Sequence, residues 1–147
     1  YAIARDPLLW EQHRHSNRHQ ESVFRKFFAD NLASGEALVV EDRQTNRPIG
    51  HTRLATVPGQ PDAVEIGYTF LARSCWGGTY NAAVKQLLLD HAFAYVAHVV
   101  LYVAGDNQRS HRAVRKIGGI PITEANPLAA LRKDDPDYTS YVITRPA

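Results

Sequence analysis

The stretch Arg73-Ser-Cys-Trp-Gly-Gly-Thr-Tyr-Asn81 constrains the fold of this chain more than any other. It follows Ala63–Leu71, whose alternating pattern reads as a strand, and precedes Tyr80–Val96, which reads as an amphipathic helix. A strand, a glycine turn and a helix in that order leave the helix's first N–H groups without partners, at the positive end of its dipole. Gly77 and Gly78 remove the Cβ atoms that would hold a ligand off the backbone. The arrangement reads as a cradle for a phosphate or pyrophosphate, with Arg73 adding a full charge at its entrance. A glycine pair after a strand is also a plain turn. The stretch matches neither the dinucleotide fingerprint G-x-G-x-x-G nor the P-loop, which requires Gly-Lys-Ser/Thr.

The surrounding pattern places the stretch in a mixed sheet. Ala2–Gln12, with Asp6-Pro7 as a start signal, predicts a short helix. His13–His19 is polar and basic and reads as a loop. Its three histidines lack the carboxylate or cysteine neighbours of a metal site, so a solvated loop or one wall of a substrate groove is the expectation. Asn17 and Gln20 form a capping pair for a helix that carries Val23, Phe24, Phe27, Phe28 and Leu32 on its apolar face and stops at Gly35. Ala37–Asp42 and Ile49–Thr56 form a hairpin, and Ala63–Leu71 returns as a third antiparallel strand. In the helix after the cradle, Val84, Leu87, Leu88, His91, Ala92 and Tyr95 are expected to share the buried face, with His91 a core histidine. His98–Val103 is a nearly continuous apolar run, as in a central strand covered on both faces. Strand, helix, strand predicts a parallel pair with a right-handed crossover. Gln108–Ile117 follows as a helix closed by Gly118-Gly119, then strands near Ile120–Thr123 and Tyr138–Thr144 flank a loop over Asn126–Asp137.

At 147 residues, with 44% hydrophobic and 22% charged content, the chain is expected to form one domain over residues 1–147. A net charge of +2 gives no argument for nucleic acid, and no apolar run approaches the ~20 residues of a membrane helix. The lone Cys75 excludes an internal disulfide and fits a reducing compartment; with no signal segment at the start, a cytoplasmic location is expected. Opening at Tyr1, with no methionine anywhere, the chain is expected to have lost residues upstream.

Three separated motifs now stand in order: Ile66-Gly67-Tyr68, Trp76-Gly77-Gly78-Thr79-Tyr80, and Asn107, Ser110, Lys116 and Gly118. Together they resemble the GNAT superfamily of acetyl-CoA-dependent N-acetyltransferases, most of all the branch of ribosomal-protein N-terminal acetyltransferases. The resemblance runs from about Phe24 to the C-terminus. It implies an α/β (α+β) fold: a mostly antiparallel sheet of about six strands with one parallel splayed pair, helices on both faces, and the family's first strand missing from this chain. Thr79 stands where the family has a small residue, and Gly119 where it has an aromatic.

The resemblance also implies a mechanism. The N–H groups of Ser74, Trp76, Gly77, Gly78, Thr79 and Tyr80, with Arg73, would hold the pyrophosphate, and backbone at Phe70, Leu71 and Ala72 would pair with the pantetheine arm. Glu65 is the expected general base, commonly through a water, and is equally readable as a solvent-facing strand residue. The family's usual acid is a tyrosine seven positions after the asparagine. Here that position is Val114, and Ser110 is the substitute, although a serine there also caps helices. Asn107 would position the cofactor or a water. Tyr68, His51 and Arg53 are candidate groove residues, and Cys75 is a small loop residue, since the family forms no acyl-enzyme. Acetyl-CoA and an amine acceptor are the expected partners, with no metal, nucleic acid or membrane; the resemblance leaves a homodimer open. Two other functions compete. One is a non-catalytic acyl-CoA-binding or regulatory domain, favoured by Val114 and Thr79. The other is an RNA- or ribosome-associated module, suggested by the basic residues 13–19 and a pI of about 8.8.

Overall fold

The computed structural model describes residues 1–146. Its sheet grows from a hairpin of Ala37–Asp42 (β1) and Arg47–Thr56 (β2), whose turn is closed by Asp42 accepting from the N–H groups of Gln44 and Thr45. β2 pairs antiparallel with Ala63–Leu71 (β3), which completes the meander expected from the sequence. The β2–β3 register slips between His51 and Arg53, and Tyr68 bulges at φ 56°. A β-branched or aromatic side chain rarely takes that conformation, so neighbours must hold it. His51 Nδ1 does so from 3.0 Å, donating to the Tyr68 carbonyl, and the Thr52 and Thr69 hydroxyls bond across the bulge at 2.8 Å.

β3 then meets His98–Ala104 (β4) in parallel over three residue pairs: Ala63 with His98, Val64 with Val99, Glu65 with Val100. Beyond Glu65 the two strands part. β4 pairs along its whole length with Tyr138–Thr144 (β6), and the short Ile120–Pro121 (β5) closes the far edge, giving the order β1-β2-β3-β4-β6-β5. The last two strands are those anticipated, with β5 ending at Pro121 rather than Thr123.

Successive residues of a strand face opposite sides, and β4 shows both being used. Val99, Leu101 and Val103 pack with Ile66 and Tyr141 against Tyr80–Ala92 (α2) and Gln108–Lys116 (α3). Val100 faces the other way, into a cluster with Ala63, Ile122, Leu131 and Val142. In a separate cluster, Glu21–Ala33 (α1) contributes Phe24 and Phe27 beside Ala4, Leu9, Trp10 and Phe70. Among the described residues, no helix is long and apolar enough to cross a membrane, and no strand precedes α1.

Several expectations need correction. Ala2–Gln12 is not an α-helix: Asp6 caps only the 3-10 turn Pro7–Leu9, accepting from Leu8 N–H, and one turn is all that Leu9 and Trp10 need to reach the core. Residues 13–19 include a second such turn, Ser16–His19. Gln20 itself is the N-cap residue of α1 and makes no side-chain cap bond. Phe28 and Leu32 are exposed. In α2 the buried stripe is Lys85, Leu88, Leu89 and Ala92, while Leu87 and Tyr95 are 70% and 76% exposed and His91 is on the surface. The stripe was misplaced because one of its four members is a lysine.

Candidate active site

Where β3 and β4 diverge, a cleft of about 490 Å³ opens between Gly67–Leu71 on one side and Leu101–Ala104 on the other. Gly77 and Gly78 stand at its wall, as do Asn107, Ser110 and Val114 of the β4–α3 segment, and His13, Tyr68 and Tyr138.

The loop before α2 is built as a cradle. Arg73–Cys75 forms a 3-10 turn in which Cys75 and Trp76 spend their N–H groups on Ala72 and Arg73 carbonyls. Gly77 then turns at φ 72°, the left-handed region glycine enters freely. The N–H groups of Gly77, Gly78, Thr79 and Tyr80 donate to no acceptor among the described residues. Thr79, at φ −84°, carries its β-carbon without backbone strain. Trp76 anchors the loop: its Nε1 donates to the Leu71 carbonyl at 3.0 Å, and Arg109 lies 4.0 Å over its ring. Such an arrangement suits a multiply charged anion.

Other expected binding residues are differently employed. Arg73 does not stand free at the entrance. Its Nε donates to Asp6 at 2.5 Å, and this bond holds the Asp6 carboxyl below its usual range. The Ala72 N–H donates to Ile49, so it is not available to a ligand, and the Leu71 carbonyl already accepts from Trp76. Phe70 stacks on His51 at 5.6 Å within the aromatic cluster. The exposed Ser74 and the Tyr80 ring lie outside the cleft lining, and Tyr80 donates to Asp42 at 2.6 Å. Cys75 is buried, and among the described residues the Ser74 hydroxyl, at 4.0 Å, is the hydrogen-bond contact of its sulfur.

Glu65 and Gly67 share a face, as the strand period requires. A Cβ built on Gly67 would lie 2.5 Å from Glu65 Oε1, so the missing side chain is what lets the carboxyl fold over residue 67, which lines the cleft while Glu65 stands just behind the lining. Burial raises the Glu65 pKa above its ordinary value; Lys133 and Arg53 pull it partly back, and Glu36 adds to the rise. A desolvated carboxylate of this kind takes up a proton more readily than one in water.

Across the cleft, Asn107 caps α3 by accepting from the Ser110 N–H at 3.0 Å, so its carbonyl is spent on the helix and its amide nitrogen is what remains for a ligand. The Ser110 hydroxyl faces the cleft with no partner among the described residues. Val114 is 5% exposed, and a Cβ at Gly119 would meet its Cγ1 at 2.4 Å. The two departures from the family pattern therefore fit each other: the valine fills space that leaves none for a side chain at residue 119.

Three residues were not singled out by the sequence. Lys85 lines the cleft at 7% exposure, donating to Thr69 Oγ1 at 3.0 Å, and burial lowers its pKa to about 8. Its only signal was its place in the 85, 88, 89, 92 stripe. Arg109 ties α3 to the N-terminal segment through the Leu9 carbonyl at 3.2 Å. Arg18 sits over the Phe27 ring, 4.1 Å from its centroid. Neither arginine left a periodic signal.

The chain matches the family model described as acetyltransferase (GNAT) domain over residues 1–120. Solved structures share its fold. An acetyltransferase from Agrobacterium tumefaciens str. C58 is 23% identical, with a TM-score of 0.71 over 98% of this chain and 84% of that one. A GNAT-family acetyltransferase from Bacillus anthracis is 17% identical, with a TM-score of 0.69 over 97% and 84%. Mycobacterium smegmatis RimJ, solved in complex with CoA-disulfide, is 20% identical, with a TM-score of 0.65 over 97% and 76%. A comparison with curated proteins gives no match. The family match over most of the length, on a sheet with this splayed parallel pair, makes the chain a member of the GNAT acetyltransferase family and an acyltransferase.

Proposed function

We propose that residues 1–147 act as one domain that moves an acetyl group from acetyl-CoA to a primary amine by direct transfer. The observation that carries this reading is the end of β3–β4 pairing at Glu65 and Val100. It opens a cleft with a donor-rich turn at Gly77 and Gly78 on its wall and a desolvated carboxylate folded over Gly67. The similarity to RimJ, solved with CoA-disulfide, supports a coenzyme A ligand.

The free N–H groups of residues 77–80 would hold the diphosphate, and the unpaired edge of β3 from Gly67 onward would align the arm, which is an orientation effect. Bound acetyl-CoA would supply an activated acetyl thioester. Glu65, ionised, takes the proton from the acceptor ammonium and leaves a neutral, nucleophilic amine. The Ser110 hydroxyl would donate a hydrogen bond to the leaving thiolate, which takes up the proton that the attacking amine sheds and departs as the thiol of coenzyme A, and the Asn107 amide would fix the ligand beside it. Cys75 is buried in its loop and among the described residues its sulfur has the Ser74 hydroxyl, not a base, as hydrogen-bond contact, which fits transfer without an acyl-enzyme. The single thiol and the coenzyme fit a cytoplasmic enzyme.

A second reading, a coenzyme-binding domain without turnover, draws on the buried Val114, which offers no proton where the family has a tyrosine. Calorimetric titration with coenzyme A, followed by thiol release with a panel of amines, separates them. Binding with turnover supports transfer; binding with none supports the second reading; no binding overturns both.

A further inference from the structure

His13 lines the cleft beside Trp10. Its Nδ1 lies 2.9 Å from the N–H of His15, which can only donate. Burial, reinforced by the charges of Arg18, His15 and Arg109, lowers the pKa of the ring to about 4, so near neutral pH it carries one proton. With Nδ1 accepting, that proton is on Nε2. Nε2 in turn stands 3.3 Å from Nη1 of Arg18, and a guanidinium has no acceptor. The two groups are therefore neighbouring donors, 3.3 Å apart.

Arg18 stands behind the cleft lining and has no carboxylate partner among the described residues. Burial lowers its pKa to about 10, still well above neutrality, and the phenols of Tyr68 and Tyr138, both of which line the cleft, pull it partly back. The neighbouring arginines differ. Arg14 pairs with Asp135 and Asp137, Arg53 with Glu36, and Arg73 with Asp6. Arg18 is held over Phe27 and within 5.6 Å of the Trp10 ring, so its fork is oriented before any ligand arrives. A partly buried cation beside a neutral imidazole N–H suits a planar anion that can take both donors. The Phe27 ring under Arg18 stands 6.4 Å from the ring of Tyr68, which is three residues along β3 from Glu65, about 10 Å at ~3.3 Å per residue, the scale of a small molecule that carries both an amine and an anion.

We propose that Arg18 and His13 bind a carboxylate on the acceptor, which makes the acceptor a small amino acid and not the N-terminus of a protein; this rests on the acetyltransferase reading above. The test is thiol release from acetyl-CoA with amino acids of increasing amine-to-carboxylate spacing, each beside its amide, with a phosphorylated amine and a short peptide amide as further arms. At least one amino acid should exceed its amide in kcat/KM by roughly tenfold or more, the scale of a charge-assisted hydrogen bond. Arg18→Gln should collapse that preference through KM, and Arg18→Lys should restore part of it. Equal use of acids and amides, or preference for the phosphorylated amine or the peptide, overturns the proposal. Binding is read separately, as a shift of the His13 imidazole signals in NMR on titrating the same amino acids into protein saturated with coenzyme A. A shift in wild type that Arg18→Gln abolishes, with no amine turned over, keeps the carboxylate site and overturns acetyl transfer. No shift with any amino acid overturns the site whatever the turnover.

Discussion

Lys85 Nζ donates to the Thr69 hydroxyl across 3.0 Å inside the α2–β3 interface, and that hydroxyl is also bonded to Thr52 across the bulge. A lysine here serves as a strut for the bulged strand, at the expense of desolvating an amine. Burial lowers its pKa from 10.5 to about 8. The folded value lies below the unfolded one, so between these pH values the unfolded chain holds more protons and stability rises with pH. Below pH 8 the whole penalty applies, roughly 3 kcal/mol at most. Lys85→Met should therefore unfold at higher urea at pH 7 than the wild type, and should lack the rise in stability between pH 8 and 10.5. If the variant instead unfolds earlier at pH 7, the Thr69 bond outweighs the burial cost.

Gly77 and Arg73 should contribute unequally to coenzyme binding, in the opposite order to their charges. Arg73 is already paired with Asp6, and both side chains are partly exposed, so removing it loses little. Gly77 sits at φ 72° with open space where a Cβ would go, so only backbone strain opposes a side chain there. Gly77→Ala should cost about 1 kcal/mol of stability and disorder the donors of the turn. Coenzyme titrations should show a larger loss of affinity for Gly77→Ala than for Arg73→Ala. The reverse order would mean that the arginine leaves Asp6 to meet the ligand.

Most of the frame was legible because it rests on local periodicity. β1, β3 and β6 span the residues expected of them, β3 on its alternation, and Gly35 and Gly118 end their helices at positive φ. What was not legible depends on contacts between distant residues or on polar groups in apolar places. Arg73 met Asp6, 67 positions away, and Arg109 met Leu9, 100 positions away; no window of sequence holds either pair. An apolar count treats lysine as surface, so it turns the expected helix face away from the buried Lys85. The splay of the parallel pair and the roles proposed for Glu65 and Ser110 rest on resemblance, not on any pattern in the residues.

Glu65 should leave its mark on the pH profile. Its pKa is raised chiefly by burial, so the ionised, proton-accepting form is lost as pH falls through a value above the ordinary carboxylate range. The acid limb of kcat/KM with a good amine should lie there, and Glu65→Gln should flatten it while lowering the rate by roughly a hundredfold or more. The same shift has a stability sign. The protonated form is favoured in the fold, so the group weakens stability as pH rises through its folded pKa, and the glutamine variant should be the more stable at pH 8. An unaltered limb in the variant would place the base elsewhere.

Val114 and Gly119 should behave as one unit. A Cβ on Gly119 would stand 2.4 Å from Val114 Cγ1 and 3.0 Å from the Val114 carbonyl, closer than side chains pack. Gly119→Ala should thus destabilise by about 1–3 kcal/mol, the usual cost of overpacking. Val114→Ala alone should also destabilise, by loss of buried methyls. Because the first variant crowds the space that the second empties, the double variant should be more stable than the sum of the two predicts, by about 0.5 kcal/mol or more. Urea unfolding of the four proteins measures that coupling, and strict additivity would show that the backbone carbonyl, not the methyl, sets the clash. Restoring the family's tyrosine by Val114→Tyr alone should fail for the same reason. With Gly119 packed against residue 114, the ring has no room in the core, and the variant should lose stability without gaining turnover.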